Sequence, residues 1–132
     1  MPVPGSLHHI ELYVSDLSRS SEFYSWFLGF FGYREFQKWD SGISFKLDDT
    51  YIVLVQTETR FLDPAYHRCR TGLNHLSFHA RSRSHVDELT ALLDKKGVTI
   101  LYRDRHPFAG GAGYYAVFFE DPDRIKLEVT AE

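Results

Sequence analysis

Two histidines and one glutamate carry the chemistry this sequence offers. His9 and His75 hold the same place in two copies of one pattern, LHHIELYVSDL (7–17) and LNHLSFHARSR (73–83), at an offset of 66 residues (75 − 9). In HIELYV (9–14) a period of two puts Ile10, Leu12 and Val14 on one face and His9, Glu11 and Tyr13 on the other. In RIKLEVT (124–130) the same period groups Ile125, Leu127 and Val129 and leaves Lys126, Glu128 and Thr130 together. Two imidazoles and a carboxylate form a facial set that holds a divalent transition metal with positions left open, and open positions serve catalysis. Such a centre chelates a substrate bearing neighbouring oxygens and stabilises the charge that develops on them. A strand histidine taken alone is more often an ordinary hydrogen-bonded residue. Its repetition in register is what favours a ligand.

Other side chains gather round that set. Glu11 and Tyr13 share the face of His9 and His79 that of His75, so each is a candidate acid, base or hydrogen-bond donor. Arg103, Arg105, His106 and Lys126 would anchor an anionic group of a substrate, with Tyr115 as a further lining residue. His75 and His79 are not a helical zinc pair, because four strand residues span about 13 Å. Gly110, Gly111 and Gly113 lack the Gly-Lys-Ser/Thr of a phosphate loop and suggest a tight or flexible segment, a lid over 104–113. Cys69 lies between Arg68 and Arg70 but has no nucleophile's partner constellation. His8 should point away from His9, and His85, in a helix's first turn, should be structural or exposed.

The elements that must position these residues form two half-domains, about 7–57 and 73–130, joined by a connector over 58–72. After strand 9–14, Asp16 or Ser18 caps a helix with Phe23, Tyr24, Phe27 and Leu28 on one face, stopped at Gly29 or Gly32. Strands follow at 33–39, 43–47 and 51–57. The second half repeats the order with a strand at 75–80, a helix from Ser84 with Asp87 in a capping box, and strands at 98–103, 114–119 and 124–130. Matching Val55 with Glu128 gives an offset of 73 (128 − 55), so about seven extra residues fall in 103–113. The expectation is an α+β fold, two βαβββ modules whose curled mixed sheets form a cupped, barrel-like cavity within a single domain, 1–132.

With 132 residues, 43% hydrophobic, a net charge of −3 and no long like-charge run, the chain suits one compact domain and small-molecule rather than nucleic-acid partners. MPVPGSLHH has neither a basic region nor an apolar stretch, and 18 apolar residues never run together, which points to a soluble, cytoplasmic protein without a membrane span. One cysteine excludes an internal disulfide.

The stretches 7–33, GLNHLSFHA (72–80) and YYAVFFEDPDRIKLEV (114–129) together resemble the vicinal oxygen chelate superfamily, which contains glyoxalases, fosfomycin-resistance proteins and extradiol dioxygenases. The strand-one histidine, the mid-chain Asn-His and the Asp-Pro-Asp turn before a Glu-bearing strand occur in the family's order. The resemblance implies His9, His75 and Glu128 as ligands of one divalent ion (Zn, Ni, Mn or Fe) and a homodimer. It places Val55 where glyoxalase I has a fourth ligand, a glutamate, which speaks against that activity. Fosfomycin-modifying members carry an aromatic hydroxyl shortly before the Asp-Pro-Asp turn, where this sequence has Phe118 and Phe119 instead, which does not favour that substrate; extradiol dioxygenases want a histidine or tyrosine such as His79, Tyr13 or Tyr115. The expected function is that of a metal-dependent lyase, isomerase, transferase or dioxygenase acting on a small substrate with adjacent oxygens. The rival class is a metal-free small-molecule or antibiotic-binding protein of the bleomycin-resistance kind, with Trp39, Tyr51 and Tyr115 lining its groove.

Overall fold

The computed structural model describes residues 1–132 and divides them into two compact units, Met1–Ala65 and Tyr66–Glu132. The first runs β1 (His9–Val14), α1 (Leu17–Phe30), β2 (Arg34–Trp39), β3 (Gly42–Leu47) and β4 (Thr50–Gln56). The second repeats this with β5 (His75–His79), α2 (Arg83–Lys95), β6 (Ile100–Leu101), β7 (Tyr115–Glu120) and β8 (Lys126–Ala131). Strand orders are β1-β4-β3-β2 and β5-β8-β7-β6, with β1 parallel to β4, β5 parallel to β8 and the other pairs antiparallel. The fold is therefore α+β, built from two βαβββ modules. Neither sheet closes, since each keeps two edge strands, so the expected curl into a barrel-like cup does not occur within a unit. No helix is long and apolar enough to cross a membrane.

Helix α1 starts because the Asp16 carboxylate accepts from Arg19 N (3.1 Å) and Gln56 Oε1 accepts from Leu17 N (2.8 Å), which satisfies two free amides of the first turn. The four expected apolar residues, Phe23, Tyr24, Phe27 and Leu28, are its buried face. The helix runs through Gly29, and the stop comes at Gly32, whose φ of 94° breaks the right-handed path.

Helix α2 begins earlier than expected. Ser82 is its cap, accepting from His85 N at 3.1 Å, and Asp87 makes no capping box but receives the Tyr115 hydroxyl at 2.5 Å. Val86, Leu89 and Leu93 are fully buried beneath the sheet, each worth about 1.5–3 kcal/mol. His85 is buried with them and is structural: its Nδ1 accepts from Arg81 N at 3.1 Å.

The second unit departs most from the first after β6. Tyr102, with φ 57°, turns the chain into the left-handed region, so the expected strand over 98–103 shrinks to two residues. From there to Tyr114 the chain makes successive turns, fastened by Ala116 N to Pro107 O (2.9 Å) and Arg83 Nη2 to Gly113 O (3.5 Å). These bonds tie the loop to β7 and to the start of α2. The strand register also corrects the internal alignment. Glu11 pairs with Val53 as Ser77 pairs with Glu128, so the counterpart of Glu128 is Val53 and not Val55. Val53 is apolar too, and the inequality between the halves stands.

The Asp-Pro-Asp motif has a structural reason. Asp121, 5% exposed, accepts from Asp123 N and Ile125 N, both at 2.8 Å, and so folds the turn that launches β8. Asp121→Ala should cost about 1–3 kcal/mol, read as a lower urea midpoint with unchanged slope. Burial, with Arg81 adding to it, pushes the His85 imidazole below its usual range. The folded state then binds fewer protons, and the stability from neutral His85 is complete above about pH 6.5 and lost as pH falls through the lowered folded value. His85→Asn keeps an acceptor for Arg81 N but cannot titrate. Urea midpoints between pH 8 and 5 should fall less steeply for it than for the parent protein.

Candidate metal centre

In the second unit the site grows from one hydrogen-bonded chain. The Asn74 amide donates from Nδ2 to Arg68 O at 3.2 Å, which leaves its Oδ1 as an acceptor 2.7 Å from His75 Nδ1. Nδ1 then carries a proton, and Nε2 is the ring nitrogen turned away from Asn74. That nitrogen faces Glu128 Oε1 at 3.2 Å. An imidazole nitrogen and a carboxylate oxygen at this distance share either a proton or a cation. The donor types, a neutral imidazole oriented by a neighbouring amide and a carboxylate, are those of a divalent-metal site.

Glu128 is 3% exposed, and its burial depends on β8 lying between β5 and β7. Its second oxygen accepts the Tyr114 hydroxyl at 2.5 Å. The bond to Glu128 holds the Tyr114 phenol above the ordinary tyrosine range, while the Thr130 and Ser77 hydroxyls beside it pull the other way. Tyr114 is the site residue absent from the sequence expectations, which name Tyr115 instead. Alternation along the strand is the signal that separates them: Ala116 and Phe118 register with Thr130 and Glu128, so Tyr114 continues the Glu128 face and Tyr115 the opposite one.

The remaining candidates divide accordingly. Tyr115 reaches α2, bonding Asp87 under the Arg83 guanidinium 4.9 Å from its ring, and Arg103 pairs with Asp94 at the end of that helix. Lys126 is on the Glu128 face, its Nζ 3.0 Å from Tyr102 OH and 5.2 Å from the Phe118 ring centre. The Arg105 guanidinium stacks 5.0 Å from the Tyr102 ring. His106 joins the same turn through its amide, which donates to Tyr102 O. His79 is exposed at the far end of β5.

In the first unit, Glu11 and Tyr13 are exposed on the face of His9. The His9 ring stacks flat on Tyr51 at 4.7 Å. His8 does not point away: its Nδ1 is 2.8 Å from His9 Nδ1. Within neither unit do three His, Cys, Asp or Glu side chains gather closely enough to enclose a cation.

Residues 6–129 match the family model of the glyoxalase/bleomycin resistance protein/dioxygenase superfamily. The chain belongs to this superfamily. It is 63% identical to YqjT of Bacillus subtilis, an uncharacterized protein, across 95% of this chain and 98% of that one. A Bacillus halodurans crystal structure, assigned as a candidate glyoxalase, superposes with a TM-score of 0.96 at 56% identity, covering 98% and 97% of the two chains. The glutathione transferase FosA of Serratia marcescens is 31% identical across 94% of this chain and 79% of its own. The superfamily thus includes enzymes, and the near relatives leave the particular reaction open.

The His75–Glu128 contact also bears on stability: with Nε2 unprotonated, it sets two acceptors against each other. In Glu128→Gln the amide oxygen can still accept from Tyr114 while its NH2 donates to His75 Nε2. We expect unfolding free energy to rise by about 1 kcal/mol in metal-free protein, measured by urea denaturation. A fall of that size would mean that the two acceptors are not opposed.

Proposed function

We propose that this member of the superfamily is a metal-dependent enzyme, a cytoplasmic homodimer in which His9, His75 and Glu128 hold one divalent ion. The observation that carries the reading is His75 Nε2, its ring held by Asn74, facing the buried Glu128 carboxylate at 3.2 Å. A bound divalent ion supplies Lewis acidity to a small substrate with adjacent oxygens. The chain's own residues do the rest. Lys126, Arg105 and the Tyr102 hydroxyl bind and orient an anionic group beside the centre, where Phe118 keeps the floor apolar. Glu11 is one strand repeat, about 6.6 Å, from His9 and is the side chain for moving a proton at the substrate. Tyr13 and His79 lie about 13 Å along their strands from His9 and His75, at the distance of rim contacts. The similarity to FosA supports group transfer to an oxygen-bearing small molecule as the class to test first.

Protein purified without added metal or chelator should carry about one equivalent of zinc, nickel, manganese or iron by elemental analysis, and His75→Ala and His9→Ala should lose it. Equal, near-zero metal in all three would leave the metal-free binder as the better reading. Asn74→Ala frees the His75 ring to turn and should weaken metal binding by about 10–100-fold in a competition titration, with the fold intact by circular dichroism.

A further inference from the structure

The segment that sets the second unit apart from the first, the turns between Tyr102 and Tyr114, ends on a phenol that touches the candidate ligand Glu128. In the first unit the corresponding connection is the short Asp40-Ser41 turn between β2 and β3, and Val53 stands where Glu128 would be. The long connection and the buried carboxylate therefore occur together in one half and are both missing from the other. Tyr114 is 40% exposed, yet its hydroxyl reaches a carboxylate that is 3% exposed, because the register partner of Glu128 on β5 is the small Ser77. The ring rests against Gly110, where any Cβ would collide with it. Gly110 carries no positive φ, so its lack of a side chain serves this contact and not a backbone turn.

We infer that Tyr114 is a positioning residue, delivered by the 102–114 loop, that engages one oxygen of Glu128 and leaves only the other, Oε1, to coordinate a metal. The inference rests on the metal-centre reading above. A carboxylate free at both oxygens binds a cation through one or both of them. With Oε2 accepting from Tyr114 and Oε1 facing His75 Nε2, the group is restricted to single-oxygen donation along the His75 direction.

The test titrates the metal-free full chain with Co(II) and reads both affinity and the visible Co(II) absorption, which reports coordination number. Tyr114→Phe keeps the ring against Gly110 and removes only the hydroxyl. Gly110→Ala keeps the hydroxyl and displaces the ring. Both should change Co(II) affinity by about 10–100-fold and move the visible band towards higher coordination, as Oε2 becomes free to bind, with unchanged far-ultraviolet circular dichroism. A Tyr114→Phe protein with parental affinity and an unchanged band would overturn the inference while leaving the metal centre standing. A parent protein that binds no Co(II) would overturn both.

Discussion

The second unit depends on one electrostatic constraint, a carboxylate carried into a sheet interior to meet an imidazole. Burying Glu128 costs several kcal/mol unless its oxygens find donors. The fold supplies one donor, Tyr114, and sets His75 Nε2 against the other oxygen. Local features follow from this. The parallel register of β5 and β8 puts Ser77 opposite Glu128, which leaves space for the phenol and brings His75 to the carboxylate diagonally. The Asp121 turn fixes where β8 begins and hence which face Glu128 occupies. A one-residue slip would exchange it for Leu127.

The duplicated architecture shows how two similar scaffolds carry unequal chemistry. At matched positions, His9 and His75 are retained, Glu11 gives way to Ser77, Val53 to Glu128 and Tyr51 to Lys126. The first unit offers an imidazole stacked on an aromatic ring, and the second an imidazole aimed at a carboxylate beside a lysine. The backbone hydrogen bonds that define the strands are indifferent to these exchanges, so the sheets stay alike while the polar faces diverge.

Much of this is legible in the sequence, and the limits have physical causes. Strand alternation places His9, Glu11 and Tyr13 opposite Leu12 and Val14, and helical spacing picks out the buried face of α1, because both patterns record burial directly. The cap of α2 is harder to read, because Ser82 and Ser84 are equally good capping residues and only the path of the chain selects Ser82. Strand β6 reads too long because nothing in the apolar run announces the positive φ of Tyr102. Tyr114 and Tyr115 are adjacent and chemically identical, so a one-residue shift in where β7 begins decides which of them faces Glu128. The tautomer of His75 is beyond the reach of sequence, since it depends on the carbonyl of Arg68, seven residues away and placed by tertiary bonds.

Those bonds mark a boundary that differs from the one the repeat suggests. Arg68 donates to Glu120 Oε2 at 2.5 Å and to Arg124 O at 3.1 Å, Tyr66 donates to Leu73 O, and the Arg68 carbonyl orients Asn74. The repeated sequence begins near 73, but the piece of chain that carries a correctly protonated His75 begins near 66. A chimaera cut at the edge of the repeat would inherit every strand of the second half and lose the clasp that tells its histidine which nitrogen to offer.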